Sequence, residues 1–204
     1  MLRLVLFDMD DVLCHYDWRS RVTALSRLSG RSFADLEAAI WNSGFEDASD
    51  AGQIDADAYL EGFEARLGIP FTRDAWVANR RAAMTPWPDM LELAKAISSH
   101  ACVAILTNNG HLTGEHIDAL FPELRPVFGE RICVSAQFRT QKPDPDVYRR
   151  ALAHLCFEPH ETLFTDDKPE NVEGAIAAGL HGHVHAGAVA LRARLAQSGL
   201  PKLM

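Results

Sequence analysis

The sequence VLFDMDDVLC places Asp8, Asp10 and Asp11 within four residues, directly after a short apolar run. Two more aspartates, Asp166 and Asp167 in FTDDK, follow another apolar run late in the chain. Like charges crowded in this way repel one another, so solvent, protonation or a bound cation must offset them. Mg²⁺ suits such a group, because it takes oxygen ligands and is usually held by carboxylates plus a substrate phosphate.

Other polar residues that could do chemistry also follow apolar runs. Thr107 and Asn108 lie in ILTNN, and Lys142 lies in QKPDP. In open α/β sheets, ligands bind beyond the carboxyl ends of the strands, so a parallel sheet would bring these groups to the edge that carries the aspartates. An aspartate can attack phosphorus, a second carboxylate can act as acid and then base, and an ammonium can offset developing charge. The combination predicts phosphoryl transfer with a hard cation.

Short apolar runs and helical patterns alternate over most of the chain, which predicts βαβ units and an α/β fold with a parallel sheet. We expect a Rossmann-like three-layer α/β/α core. The apolar runs are Leu2–Phe7, Cys102–Leu106, Arg131–Ser135, Thr162–Thr165 and Gly182–His185. The helical patterns are Pro88–Ser98, Asp146–Leu155 and Glu170–Ala178.

The segment after the first strand interrupts this alternation, because it contains no good strand and consists of helical patterns. Its predicted helices, each with its N-cap residue, are Phe33–Trp41 after Ser32, Ala56–Leu67 after Asp55, and Arg73–Met84 after Thr72. We therefore expect a core domain formed by residues 1–14 and 86–204, and a helical cap domain formed by residues 15–85.

Four stretches resemble, in order, the successive motifs of the haloacid dehalogenase (HAD) superfamily: LFDMDDVL, ILTNN, QKPDPDVYRRAL and FTDDKPENVEGAIAAGL. The resemblance covers the predicted core. With its helical insert, the sequence is similar to the branch that contains glucose-1-phosphate phosphatases and the N-terminal phosphatase domain of soluble epoxide hydrolase. The resemblance implies a HAD-family phosphatase with Mg²⁺ as its cofactor.

The resemblance also assigns roles in catalysis. It implies that Asp8 is the nucleophile and that Asp10 is the general acid and base. Thr107 and Asn108 would hold the phosphoryl group. Lys142 would pair with both Asp8 and the phosphate.

The metal-binding residues are implied in the same way. Asp8 and Asp167 would bind Mg²⁺ directly, Asp10 would contribute its backbone carbonyl, and Asp166 would support the direct ligands. Asp11 departs from the family pattern, because that position is commonly glycine. The turn geometry and the local charge at this point are therefore open.

We expect a phosphomonoester hydrolase that acts on a small phosphorylated metabolite through an aspartyl-phosphate, and the resemblance favours a sugar phosphate. Two alternatives within the superfamily are a phosphosugar mutase and a 2-haloacid dehalogenase. A dehalogenase needs no metal, so Asp10 and Asp167 weigh against it. A phosphate-binding regulatory module is the non-enzymatic alternative, and the presence of every motif residue weighs against it.

Several other residues have both a functional and a structural interpretation. Six cap residues are candidates for substrate contact, with packing or surface roles as the alternative: Trp18, Arg19, Arg21, Trp41, Arg80 and Arg81. His181, His183 and His185 alternate along a predicted strand and could bind a transition metal, although a solvated or packed strand end is favoured. Asn171 could orient the loop, contact substrate or cap the next helix.

Composition limits the partners and the setting. The formal net charge of -8 argues against binding to a phosphate backbone, so no nucleic-acid partner is expected. No apolar stretch reaches the roughly 20 residues of a membrane span, and no signal peptide is recognised. The four cysteines form no CxxC pair, which favours a reducing compartment and hence the cytoplasm. The sequence leaves monomer and dimer open.

Overall fold

The fold is described over residues 1–198 of a computed structural model. Its strands are β1 (Leu4–Phe7), β2 (Cys14–Tyr16), β3 (Met84–Pro86), β4 (Cys102–Thr107), β5 (Ile132–Val134), β6 (Thr162–Asp166) and β7 (His181–Val184). Five of them form one parallel sheet in the order β5-β4-β1-β6-β7. All five predicted runs are therefore strands of one sheet, and the parallel α/β prediction is confirmed.

Helices flank this sheet and form the insert after its first strand. They are α1 (Trp18–Ser29), α2 (Phe33–Leu36), α3 (Phe45–Asp50), α4 (Ala56–Leu67), α5 (Arg73–Ala82), α6 (Pro88–Ile97), α7 (His111–Glu115), α8 (Ile117–Leu120), α9 (Arg125–Phe128), α10 (Pro145–Leu155), α11 (Pro169–Ala177) and α12 (Ala188–Gln197). A π-helical stretch, Glu37–Trp41, continues α2. No helix of residues 1–198 is long and apolar enough to cross a membrane.

The two faces of the sheet bury separate apolar clusters, because successive side chains of a strand point to opposite sides. Val5 and Phe7 of β1 belong to the cluster beneath α6, α9 and α12, whereas Leu4 and Leu6 belong to the cluster beneath α10 and α11. All four side chains are fully buried. Each such burial stabilises the fold by about 1.5–3 kcal/mol relative to exposure. The core is therefore a three-layer α/β/α arrangement.

The helical cap consists of α1 to α5 and has its own aromatic core. Tyr59, Phe63 and Trp76 are buried together at its centre, and Tyr59 and Trp76 meet edge to face with ring centroids 6.1 Å apart. The apolar cluster continues onto Leu112 and Leu120 of the core. The cap therefore packs directly on helices α7 and α8.

The three predicted N-caps are confirmed. The side chains of Ser32, Asp55 and Thr72 each accept a hydrogen bond from the backbone N–H three residues later. The last of these helices, α5, ends at Ala82 rather than at the predicted Met84, because Met84 begins β3.

The expectation that the insert contains no strand is wrong at both of its ends. His15 and Tyr16 of β2 pair antiparallel with Thr85 and Met84 of β3. These three-residue strands are too short to show a period in the sequence. The expected boundaries after residues 14 and 85 pass through this strand pair and remain predictions.

Asp11 lies in the turn between β1 and β2 with a left-handed backbone, φ 58°. Glycine adopts this conformation without strain, and aspartate tolerates it when its short side chain bonds locally. Oδ1 of Asp11 accepts a hydrogen bond from Tyr16 N at 3.1 Å and lies 3.1 Å from His15 Nδ1. The aspartate therefore keeps the glycine-like turn and ties it to β2.

We expect Asp11→Ala to lower the free energy of unfolding by about 1–2 kcal/mol, because alanine in the left-handed region is strained and makes no side-chain hydrogen bond. Asp11→Asn should be close to the unmodified protein, since asparagine tolerates the turn and can still accept from Tyr16 N. Urea unfolding followed by circular dichroism measures both. Equal losses for the two variants would contradict the importance of the backbone conformation.

Candidate active site

The carboxyl ends of β1, β4 and β6 meet at one edge of the sheet, because these strands are neighbours there. A cavity of about 660 Å³ lies between this edge and the cap. Residues from the core that line it are Asp8, Asp10, Asp11, Thr107, Asn108, Asn109, Gln141, Lys142, Pro143, Asp167, Lys168, Glu170 and Asn171. Residues of the cap, together with Tyr16 of β2, line the other side: Tyr16, Trp18, Glu37, Trp41, Asn42, Glu46, Asp47, Asp50 and Arg80.

Lys142 forms a buried ion-pair centre at the bottom of this cavity. Its Nζ lies 2.7 Å from Oδ1 of Asp8 and 2.6 Å from Oδ2 of Asp166. Burial raises the pKa of Asp8 from 3.8 to about 7, with Lys142 opposing this effect and Asp166 adding to it. Burial alone would lower the pKa of Lys142, but the two carboxylates outweigh it and raise the pKa. The ammonium therefore stays charged between two carboxylates.

Asp166 is fully buried and both of its oxygens are occupied. Oδ1 accepts hydrogen bonds from Lys168 N at 2.9 Å and from Asn171 Nδ2 at 3.0 Å. Oδ2 accepts from Lys142 Nζ at 2.6 Å and from the same Asn171 amide at 3.1 Å. Asp166 therefore holds Lys142, and Asn171 orients Asp166 rather than capping α11, whose N-cap position is Lys168.

Asp8, Asp166 and Asp167 each have a carboxylate oxygen in one group whose members lie within 4.8 Å of one another. Oδ1 of Asp8 is buried and receives no hydrogen bond of favourable geometry from residues 1–198. Burial, and then the charge of Asp166, raise the pKa of the half-buried Asp167. A site of oxygen donors with unbalanced negative charge fits a hard cation such as Mg²⁺.

Asp10 lies beside this group, but its carboxylate points elsewhere. Oδ2 forms an ion pair with Arg80 of the cap at 3.0 Å, and its side chain is 21% exposed toward the cavity. Of the four residues predicted to bind the metal, the structure thus brings together three carboxylates. The predicted contribution of Asp10 came from its backbone carbonyl, so the side-chain contact with Arg80 does not conflict with it.

The two predicted phosphate-binding residues differ in what their side chains do. Thr107 is buried at the end of β4 and lines the cavity, and its Oγ1 accepts a hydrogen bond from Asn109 Nδ2 at 2.8 Å. The Asn108 side chain donates to Lys142 O and accepts from Lys142 N, both at 2.9 Å. A phosphate contact from Asn108 would therefore use its backbone, while its side chain fixes the Lys142 loop.

Asn109 is a site residue that the sequence interpretation missed. It is buried, and its side chain contacts Arg80, Thr107 and Asp10 with distances of 2.8, 2.8 and 3.4 Å. Asn109 is the last residue of the ILTNN stretch, but the expected phosphate contacts in that stretch were assigned to Thr107 and Asn108.

The six candidate cap residues divide into two groups. Trp18, Trp41 and Arg80 line the cavity. The remaining three, Arg19, Arg21 and Arg81, do not line it. Arg21 packs over the aromatic rings of the cap core, and the exposed Arg81 donates a hydrogen bond to Ala119 O.

The alternating histidines are not brought together as a metal site within residues 1–198. His181 Nε2 lies 3.1 Å from His160 O. His185 stacks on Trp87 with ring centroids 5.9 Å apart. Burial lowers the pKa of His183 and of His185, as expected for packed imidazoles at a strand end.

One comparison with known proteins identifies a family, and two solved structures share the fold. Residues 2–179 match the family described as haloacid dehalogenase-like hydrolase. A HAD family enzyme from Bacteroides thetaiotaomicron, solved in complex with magnesium and inorganic phosphate, superposes with a TM-score of 0.78 at 18% identity and covers 91% of this chain and 95% of its own. A predicted HAD-like hydrolase from Porphyromonas gingivalis superposes with a TM-score of 0.78 at 20% identity, over 97% and 98%.

Two other relatives have named activities. The L-2-haloacid dehalogenase of Xanthobacter autotrophicus superposes with a TM-score of 0.65 at 24% identity, over 100% of this chain and 86% of its own. The chloroplastic flavin mononucleotide hydrolase 1 of Arabidopsis thaliana is 39% identical over 67 residues, which are 31% of this chain. This chain spans only 27% of the length of that hydrolase.

The raised pKa of Asp8 makes the effect of Mg²⁺ on stability depend on pH. Since the ordinary value of 3.8 rises to about 7 on folding, the folded protein binds an extra proton between these values, and the metal-free protein loses stability as the pH rises through that window. At pH 5.5 the cation must displace this proton, whereas at pH 8 it need not. We therefore expect Mg²⁺ to raise the thermal unfolding midpoint more at pH 8 than at pH 5.5.

Differential scanning fluorimetry with and without Mg²⁺ measures this difference. Asp8→Asn and Asp167→Asn should remove most of the Mg²⁺-induced shift at pH 8, while Glu61→Gln on the exposed face of α4 should leave it unchanged. A full shift in both aspartate variants would contradict the assignment of this metal centre.

Proposed function

This chain belongs to the haloacid dehalogenase-like hydrolase family, and we propose that it is a Mg²⁺-dependent phosphatase of small phosphomonoesters. One observation carries the proposal: Asp8, paired with the buried Lys142, shares an oxygen-rich centre with Asp166 and Asp167 while Asp10 faces the same cavity. A structural relative holds magnesium and inorganic phosphate, and a sequence relative is named a flavin mononucleotide hydrolase, which supports the same chemistry.

In the proposed reaction, a carboxylate oxygen of Asp8 attacks the phosphorus atom. The new Asp8–phosphorus bond forms as the ester P–O bond breaks, and Asp10 gives a proton to the departing alcohol oxygen. Asp10 then takes a proton from a water molecule that attacks the aspartyl-phosphate, which releases inorganic phosphate and restores Asp8. The same residue acts as acid and then as base, so no further proton carrier is needed.

The remaining residues bind charge and hold geometry. Lys142 offsets negative charge on Asp8 and on the transferred group, and Thr107 Oγ1 with backbone amides contacts the phosphoryl oxygens. Asp8, Asp167 and the Asp10 carbonyl would hold Mg²⁺, which would supply further charge neutralisation at the phosphate.

The dehalogenase alternative is less well supported. The Xanthobacter dehalogenase is 24% identical to this chain in sequence, and a likeness at that level extends only to the fold. A dehalogenase would use Asp8 as its nucleophile but needs no metal, so the carboxylate of Asp167 and the acid at Asp10 weigh against it. A mutase would use the same core residues, so product analysis with a sugar bisphosphate separates it from a hydrolase.

The cap side of the cavity suits a hydroxyl-rich, uncharged leaving group, in line with a sugar phosphate. Trp18 and Trp41 offer apolar ring faces, and Glu37, Asn42 and Asp47 offer polar atoms to hydroxyl groups. The acidic side chains would repel a second anionic group on the substrate. The proposed substrate is therefore a small phosphomonoester whose leaving group is uncharged, and the proposed setting is the cytoplasm.

We expect glycerol 3-phosphate to be a better substrate than 3-phosphoglycerate by about tenfold or more in kcat/KM, because the extra carboxylate meets the acidic cap wall. A malachite green assay of phosphate release with saturating Mg²⁺ measures both. Glu37→Gln combined with Asp47→Asn should narrow the difference. Equal values in the unmodified enzyme would contradict the proposed substrate class without affecting the phosphatase assignment.

Substitutions of Asp8 and of Asp10 should impair turnover at different steps. Asp8→Asn should abolish turnover, because no nucleophile remains. Asp10→Asn should slow turnover by about 10²–10⁴-fold, and with p-nitrophenyl phosphate its first step should survive better, because p-nitrophenolate leaves without needing a proton. The aspartyl-phosphate should therefore accumulate and add a phosphoryl group to the intact mass.

Asp11→Asn is the matched control, because Asp11 has a role in the turn but none in the proposed chemistry. It should retain most activity. An active Asp10→Asn together with an inactive Asp11→Asn would show that the acid and base role belongs one residue later, and full turnover in excess chelator would overturn the role of Mg²⁺.

A further inference from the structure

We infer that Arg80 is a positioning residue of the cap, which holds one oxygen of Asp10 and leaves the other free for proton transfer. The inference rests on the proposed function, since it concerns the residue that acts as acid and base there. It assigns to Arg80 a role through Asp10 rather than the direct contact with substrate that the sequence suggested. It also makes part of the catalytic geometry depend on the cap.

The contacts of Arg80 define a fork. Nη2 donates hydrogen bonds to Oδ2 of Asp10 at 3.0 Å and to Oδ1 of Asn109 at 2.8 Å. Nη1 donates to the hydroxyl of Tyr16 at 3.2 Å, and the guanidinium carbon lies 4.6 Å from the centre of that ring. The residue is 4% exposed. The planar group is thus fixed on two sides, which is the geometry in which arginine and lysine are least interchangeable.

These contacts distinguish the two oxygens of Asp10. Oδ2 lies 3.0 Å from Arg80 Nη2 and 3.4 Å from Asn109 Nδ2. Among residues 1–198, the one hydrogen-bond donor to Oδ1 is the thiol of Cys14 at 3.8 Å, and a thiol is a weak donor. The Asp10 side chain is 21% exposed and lines the cavity. Oδ1 is therefore the oxygen that can give a proton to the leaving group and take one from water.

The fork joins three separate parts of the chain. Arg80 lies on α5 of the cap, Asp10 follows β1, and Asn109 follows β4. The amide of Asn109 also donates to Oγ1 of Thr107 at 2.8 Å, which is proposed to contact the phosphoryl group. Docking of the cap consequently sets the orientation of Asp10 relative to the phosphate. A purely structural ion pair would instead affect stability while leaving the chemistry of Asp10 independent of it.

A double-mutant comparison with Asp10→Asn separates these two roles. Arg80→Lys keeps the charge but cannot bridge Tyr16, Asp10 and Asn109 at once, so we expect kcat to fall about 10- to 100-fold with little change in KM. In the Asp10→Asn background the same substitution should cause no further loss in single-turnover phosphate release from p-nitrophenyl phosphate. Equal losses in both backgrounds, or no loss in the first, would overturn the inference.

Two further variants protect the comparison from effects on folding. Arg81→Lys is the matched control on the same helix, and its kcat should stay unchanged because Arg81 lies outside the cavity. Tyr16→Phe removes the hydroxyl that accepts from Nη1 of Arg80 and also from Nη1 of Arg21. Because Arg21 does not line the cavity, this variant should give a smaller loss of kcat than Arg80→Lys, and that loss should also disappear with Asp10→Asn. Thermal unfolding of each variant identifies any that fail to fold.

The same experiment separates this inference from the proposed function. Turnover by the unmodified enzyme tests the phosphatase assignment, and its absence with Mg²⁺ present would overturn both. The inference alone would be overturned if the enzyme turns over but Tyr16→Phe and Arg80→Lys each lower the rate by the same factor in the unmodified and in the Asp10→Asn background.

Discussion

The placement of one ammonium group, Lys142 Nζ, between two buried carboxylates is the constraint on which the site depends. Taking such charges out of water costs several kcal/mol for each ion unless the geometry is good and the remaining hydrogen bonds are made. The structure satisfies that condition at Asp166, whose oxygens accept four hydrogen bonds. It does not satisfy that condition at Asp8, because the ion pair with Lys142 is the one polar contact that residues 1–198 provide to its Oδ1. The incomplete pairing lies at the proposed nucleophile.

Close packing keeps Lys142 in this position. Its backbone is held on both sides by the Asn108 amide, and the next residue, Pro143, lies against α11. A Cβ on Gly174 of that helix would stand 2.0 Å from the carbonyl oxygen of Pro143. Only glycine allows so close an approach. The Lys142 loop therefore cannot relax toward water, and the excess negative charge of the site must be met by a cation or a proton.

The sequence predicted the core better than the cap, for a physical reason. Strand-end residues such as Asp8, Thr107 and Asp166 are positioned by the local order of strand, turn and helix, and that order is readable from apolar runs and motif spacing. The pair β2 and β3 and the short helix α3 lacked such a signal, because three to six residues carry too little periodicity. Asn109 and Arg80 were missed as partners of Asp10 because their contact depends on how the cap packs on α7 and α8.

This division separates what the two parts of the molecule contribute. The core alone supplies the proposed nucleophile, the ammonium and the carboxylates that fit a cation, all within loops whose geometry the sheet fixes. The cap supplies the wall that a leaving group would meet. Through Arg80, it also supplies an ion pair with the side chain of Asp10. A substitution in the cap wall can therefore change the substrate while the core stays intact. A change that moves α5 also moves Arg80, a partner of the proposed acid and base, so the two proposals join substrate choice and proton transfer through one helix.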